Sequence, residues 1–242
     1  MELKIRRSLF FRSLWIPALW SDRSGQARGF DAALEPWRER LRGEKHRMTE
    51  ALKEPLRFFN TQAHLLGFAL GVVARMEKEN ASRERIEKVK DMLGPALAGV
   101  GDPFFWGGLR PAAAFSAAAV FWMTAPEAAA WGAPLIYLAL FNCGAMIVRW
   151  KGLERGYAAG ENGLLKELGR VPWRRGTNAL RGMSFAAALF AAAVFSMLWS
   201  GPALEAILVV GFAAGLKARA WRTDWIYGVA LMAALLRAAA GG

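Results

Sequence analysis

Apolar positions change character along this chain. Up to about residue 92 they are interleaved with charges, as in MELKIRRSLFFRSLWIPALW at the front and RMEKENASRERIEKVKDM over residues 75–92; beyond that they run together. Ala128 to Val148 is 21 residues without a charge and Gly182 to Leu204 is 23. Both exceed the roughly 18 apolar residues that mark a membrane-spanning helix. Pro111–Pro126, Ala206–Leu216 and Trp225–Leu236 are shorter, at 16, 11 and 12 residues. At about 1.5 Å per residue none of these three alone crosses a hydrocarbon layer of about 30 Å, so they read as re-entrant, tilted or buried between other helices. The pattern predicts an all-α integral membrane protein with several transmembrane and re-entrant or interfacial helices. Residues 1–92 form an amphipathic, interfacial helical part and residues 93–242 the membrane-embedded part. The competing assignment is a soluble helical bundle with unusually apolar helices.

Charge sharpens that division. Of the 32 Lys and Arg, 20 precede Pro111, as do 14 of the 20 Asp and Glu. The segment Arg149 to Arg181 is strongly basic, while TAPEAAAWG (124–132) and SGPALE (200–205) carry no base. Positive segments remain cytoplasmic, which places 149–181 and KARAWR (217–222) inside and the other two outside. The alanine-rich stretches AAAFSAAAVF and AAALFAAAVF supply the small residues that helices in lipid use to approach one another. The opening 20 residues mix Lys4, Arg6, Arg7 and Arg12 with Phe10, Phe11, Trp15 and Trp20, the makeup of a basic interfacial helix. Arg12 interrupts the apolar part and no small-x-small cleavage site follows, so this stretch reads as mature chain rather than a secretion signal. The net charge of +12 does not signal nucleic acid, because the bases alternate with acids or flank apolar runs, where anionic lipid rewards them.

Catalytic machinery is not visible. Cys143 is the single cysteine and reads as a small core residue of an apolar span, so neither a disulfide nor a zinc cluster is signalled. His46, read as a surface residue, and His64 stand in separate segments without a triad or metal arrangement, and no phosphate-cradling glycine motif occurs. No cofactor or metal is implied. What remains is polarity embedded in apolar sequence. Asn60, Thr61, Gln62 and His64 precede the apolar stretch Leu65–Ala74, and Asp102 sits in GPALAGVGDPFFWGGLRP, Gly94 to Pro111, among five glycines and three prolines. Two readings stand side by side. Asn60 and Asp102 cap the helices that follow them, with Pro103 at a first helical position; or these residues line a polar cavity between broken helices, where neutral donors and acceptors suit sugar hydroxyls. Arg110 is the expected ionic partner of Asp102, with Gly99 and Gly101 in support.

FFNTQAHLLGFALGVVARMEKE, GPALAGVGDPFFWGGLRP and LFNCGAMIVRWKGLERGYAAG, in this order, together with the opening FFRSLWIPALWSDRSGQARGF, resemble the IID component of the mannose-type phosphotransferase system over about Phe10 to Gly160. The resemblance implies a multi-pass subunit of the bacterial inner membrane that joins a IIC partner in a hetero-oligomer and carries a hexose inward. Cytoplasmic IIA and IIB proteins relay phosphate to the sugar, and IID itself holds no phosphorylation site. Asn60, Thr61, Gln62 and Asp102, the polar residues embedded in apolar sequence, are then the candidates for the sugar site or its immediate support. The family usually reads N-T-H-P where this chain has Asn60, Thr61, Gln62 and Ala63, and its outer segment before the last apolar run is longer than Ser200–Glu205. A non-transporting regulatory subunit of a reduced system is therefore the second reading.

Overall fold

The computed structural model describes residues 1–44, 57–124 and 126–198, and among these every regular element is a helix. Two compact units emerge from the contacts. The first is Met1–Gly107 with Phe141–Thr177; the second takes Gly108–Leu140 and resumes at Asn178. His46 and the apolar runs from Ser200 onward lie outside the described residues.

The first unit is built around α3, Leu66–Lys78, whose residues from Leu66 to Ala74 are all buried. A helix apolar on every side must be surrounded, and here α1 (Leu3–Trp15), α2 (Ala27–Glu44) and α4 (Arg83–Phe104) pack on it. Its 13 residues span only about 20 Å, which makes it a central helix rather than a crossing. The charged run 75–92 divides between two helices. α3 ends where Asn80 takes φ 58° and the Ala81 N–H reaches the Met76 carbonyl at 3.0 Å, a left-handed stop that asparagine tolerates. α4 starts at Ser82, whose Oγ accepts from the Arg85 N–H. Ion pairs four residues apart stand on either side, Arg75–Glu79 at 2.6 Å and Lys88–Glu84 at 2.8 Å.

The opening segment forms α1 and a 3₁₀ turn, Ile16–Leu19. Leu9, Ser13 and Ile16 face inward while Phe11, Trp15, Leu19 and Trp20 stay exposed. Large apolar groups thus share the exposed surface of this segment with Lys4 and Arg7.

GPALAGVGDPFFWGGLRP is not a break. α4 runs through Gly94, Pro95, Gly99, Gly101 and Pro103, then widens into a π turn at Phe105–Leu109 and continues as α5, Arg110–Met123. Pro103 has no N–H for the carbonyl of Gly99, so one rung of the ladder is absent just before the turn widens. Asp102 lies inside α4 and caps nothing, which corrects the capping expectation.

α6, Pro126–Ala159, is followed by the short α7, Leu164–Arg170, and by α8, Trp173–Leu198. Within α6 the segment Trp131–Ala159 is long and apolar enough to cross a membrane, and only 11% of its most apolar window is buried. A core helix of a water-soluble bundle is mostly covered; this one is not. It is the one such span among the described residues, so the several spans expected are not all found there. α5 has 14 residues and is too short, and the apolar run Gly182–Leu204 passes beyond Leu198. Helix α6 also continues through Arg149, Lys151 and Arg155, which are therefore helical and not part of a connecting loop. Its inward stripe is Phe141, Ala145, Arg149 and Leu153, four residues apart each time. Cys143 lies off that stripe and is exposed rather than a core residue.

Helices α3 and α6 meet through two pairs of glycines. A Cβ on Gly67 would run into the Arg149 carbonyl, one on Gly71 into that of Leu153, and one on Gly156 into that of Phe68. At Gly152 it would stand 3.0 Å from the Phe68 nitrogen. Two small-xxx-small patterns facing each other bring backbones into contact in the manner of helices packed in lipid. In the second unit the small residues are alanines: Ala112, Ala113, Ala117 and Ala119 are buried on α5, and Ala188 and Ala191 on α8.

Candidate functional site

Between α2 and α3 the chain from Phe58 to Gln62 runs extended along α4. Its backbone is held at each step. Phe59 exchanges hydrogen bonds with the turn at Ser24–Gln26, its N–H donating to the Ser24 carbonyl at 3.2 Å and its own carbonyl accepting from the Gln26 N–H at 2.7 Å. The Gln26 side chain imitates a neighbouring strand: Nε2 donates to the Thr61 carbonyl at 2.9 Å, and Oε1 accepts from the Thr61 N–H at 3.0 Å. Thr61 Oγ1 then donates to the Gly94 carbonyl at 2.9 Å, tying the segment to α4.

The glycines of α4 create the track. A Cβ at Gly94 would sit 2.9 Å from the Asn60 carbonyl, and one at Gly101 would collide with the Gln62 side chain. Seven residues are two helical turns, so both glycines share a face and the segment advances about 10 Å along it. The missing side chain of Gly101 leaves the room that Gln62 occupies. Gly99 has open space around it and supports nothing.

Gln62 caps the 3₁₀ turn Ala63–Leu65, its Oε1 accepting from the His64 N–H at 2.8 Å. That corrects the expectation that Asn60 is the cap: Asn60 is exposed and Thr61 and Gln62 are buried. Beyond the cap, His64 is enclosed by rings, with Phe105 at 4.7 Å, Phe141 at 5.3 Å and Trp106 at 5.7 Å. Burial, and then the charge of Arg149, lower its pKa to about 4, so the imidazole is neutral at pH 7.

Arg149 is the residue that sequence reading misplaced. It is 3% exposed, and its guanidinium donates to the Ser13 carbonyl at 2.8 Å and to the Ala63 carbonyl at 2.6 Å. One side chain of α6 thereby fastens the end of α1 and the cap of the polar segment. A buried cation among carbonyls is held by charge-assisted bonds. The only hint in the sequence was its position directly after a charge-free run, which a basic flank explains equally well. A second buried cluster joins α2 to α3: Arg38 Nε lies 2.9 Å from Glu77 Oε1, and Nη2 3.1 Å from Asp31 Oδ1. Burial raises the Glu77 pKa against the opposing pull of Arg38. For Arg38, burial is the largest influence and lowers the pKa, but Glu77 and Asp31 outweigh it and hold the guanidinium above its ordinary value.

Residues 1–194 match the model of the PTS system mannose/fructose/sorbose family IID component. The chain belongs to that family. The mannose-specific EIID component of the phosphotransferase system in Escherichia coli K12 is 34% identical over 171 residues, 67% of this chain. The fructose permease IID component of Bacillus subtilis 168 is 32% identical over 160 residues, 63% of this chain. This IID chain spans 58% and 56% of the length of those two relatives. Its fold is that of solved membrane proteins. A structure described only as a membrane protein agrees with a TM-score of 0.73 at 23% identity, covering 99% of this chain and 97% of its own. The mannose transporter ManYZ in complex with microcin E492 agrees with a TM-score of 0.57 at 23% identity, covering 100% and 97%. The chain is accordingly a bacterial membrane protein of helical fold. No group of three or more metal-ligating side chains occurs among the described residues.

Of the residues singled out in the sequence, Asn60, Thr61, Gln62 and Gly101 are brought together on one face of α4, with Asp102 adjacent to Gly101 on the same helix. Asp102 is exposed and receives a side-chain hydrogen bond from Trp106, one turn further on. Arg110, at the start of α5, falls in the second unit.

Proposed function

We propose that this IID chain is the membrane-translocation subunit of a mannose-type phosphotransferase system. It acts with a IIC subunit to carry a hexose across the inner membrane, where cytoplasmic IIB, charged by IIA, phosphorylates it. The observation that carries the reading is the segment Asn60–Gln62, clamped by Gln26 and Gly94 so that Asn60 is presented outward from a fixed backbone. Neutral amide groups on a rigid track suit the hydroxyls of an uncharged sugar. Asn60 and Asp102 take the ligand-facing roles. Thr61, Gln62, Gly101 and Arg110 support them. Residues 1–92 lie at the inner face and residues 93–242 in the bilayer, crossing it more than once.

Vesicles holding this chain with its IIC partner test the reading through uptake of labelled mannose, fructose or sorbose. Uptake abolished by Asn60→Ala and reduced by Asp102→Asn, with IIC still co-purifying, is the expected result. Uptake unchanged by both substitutions overturns the assignment of the site. The second reading, a regulatory subunit that binds IIC without moving sugar, draws on the departure at Gln62 and Ala63 from the family's usual residues. Assembly with no uptake of any of the three sugars would favour it.

A further inference from the structure

Three buried polar atoms on two neighbouring side chains have no hydrogen-bond partner among the described residues: Gln62 Nε2, His64 Nδ1 and His64 Nε2. Gln62 is 2% exposed and His64 8%. A neutral imidazole holds one donor and one acceptor, so the arrangement leaves two donors and one acceptor unsatisfied, which is costly in a dry interior. Native structures seldom keep such a cluster without a use for it.

The wall against these atoms is aromatic and lies on the irregular part of the helix. Phe105 and Trp106 begin the π turn that follows Pro103 and leads into Gly107 and Gly108. Single π turns inside α-helices recur at functional sites, and the two glycines permit backbone movement there. Phe105 is fully buried, but Trp106 is 44% exposed, its inner face stacked on Phe141 at 5.9 Å and its side chain hydrogen-bonded to Asp102. Trp106 is therefore the one exposed ring of the wall.

We infer that Trp106 is a flap, latched by Asp102, over a concealed site in which Gln62 and His64 bind hydroxyl groups of a neutral monosaccharide while Phe105 and Phe141 face its apolar side. Sugars expose hydroxyls at their edges and C–H groups on their faces, and an amide, an imidazole and aromatic rings match both. When the flap is shut the three polar atoms are unpartnered, so a ligand that satisfies them gains more than the same bonds would yield at a solvated surface. This rests on the sugar-handling reading above and deepens it: Asp102 acts through Trp106, and His64, absent from that reading, becomes a binding group.

The chain has two histidines, so carbethoxylation by diethyl pyrocarbonate, followed peptide by peptide, reports His64 separately, with His46 as internal reference. On the full chain in lipid nanodiscs at pH 7, Trp106→Ala is expected to raise the His64 labelling rate about tenfold, the loss of one aromatic contact's worth of closure. Mannose or fructose should return that rate toward the unsubstituted value, while glycine betaine at equal osmolarity should not. In the unsubstituted chain, where no variant has to fold, the same sugars should lower the residual labelling. A Trp106→Ala variant that elutes as a folded particle and labels no faster overturns the flap, and labelling indifferent to both sugars in both forms overturns the binding site. Protection of His64 without uptake in vesicles would leave this site standing and sink translocation, whereas uptake without protection would sink the site alone.

Discussion

The two compact units bury opposite things. The first places Arg149, Lys90, and the Arg38–Glu77 pair with Asp31 inside or nearly so, each with a charged, carbonyl or aromatic neighbour. The second buries alanines on α5 and α8 and leaves Trp131, Leu135, Met183 and Phe190 outward. Water rewards neither an exposed row of large apolar groups nor a core made of methyls, but lipid tolerates both, because its tails are as apolar as leucine. Paired charges and close glycine contacts hold the part that carries the polar segment, and small-residue packing holds the second unit.

Removing the central cation breaks the first unit hardest. Arg149→Ala deletes two charge-assisted bonds to the Ser13 and Ala63 carbonyls, a cost of about 3–6 kcal/mol at about 1.5–3 kcal/mol each. Thermal unfolding in detergent should show the largest fall of any substitution discussed here, with Arg149→Lys recovering only part because an ammonium lacks the forked geometry. In the second unit the matching change adds a charge. Leu135→Arg, on the exposed face of the α6 span, should cost about 2.5–3.5 kcal/mol of membrane insertion, read as loss of membrane-integrated protein. If Leu135 instead faces water, integration is unaltered and the contrast between solvents fails.

Gly156→Ala comes next. Its methyl would strike the Phe68 carbonyl, and the strain of forcing α3 and α6 apart is about 1–3 kcal/mol. Gly99→Ala, in open space on α4, should gain or lose less than about 1 kcal/mol, since alanine is the better helix former.

The smallest effects depend on pH. Unfolded, His64 takes a proton near its ordinary value of 6.5; folded, burial and Arg149 delay this to about 4. Between those values the unfolded chain binds more protons, so the contribution of His64 is present above pH 6.5 and lost as pH falls toward 4. Glu77 has the opposite sign: its raised folded pKa contributes stability below 4.5 that is lost as pH rises through the raised value. Unfolding midpoints from pH 7 to pH 5 should fall for the natural chain and fall less for His64→Gln. Equal slopes for the two would remove His64 from the balance.

Much of the site was legible locally. The order of polar residues before Leu65 and the family resemblance around them picked out Asn60, Thr61 and Gln62, because short-range sequence records which groups stand beside an apolar run. Whether one of them caps, clamps or faces outward was not, since Gln26 and Gly94 lie 35 and 33 residues from Thr61. Gly94–Pro111 misled for a related reason: proline and glycine signal a break by local propensity, yet packing of the Asn60–Gln62 segment on Gly94 and Gly101 holds α4 together through them.

The sequence by itself determined the helical class, the family and the presence of a span long enough for a bilayer, all of which follow from composition, run length and motif order. Only the tertiary structure decided that Arg149 is a buried fastener rather than a cytoplasmic flank, that α3 and α6 meet through facing glycines, and that His64 stands unpartnered behind Trp106. These depend on residues far apart in the chain converging within hydrogen-bonding distance, and no local pattern encodes which carbonyl a guanidinium will reach.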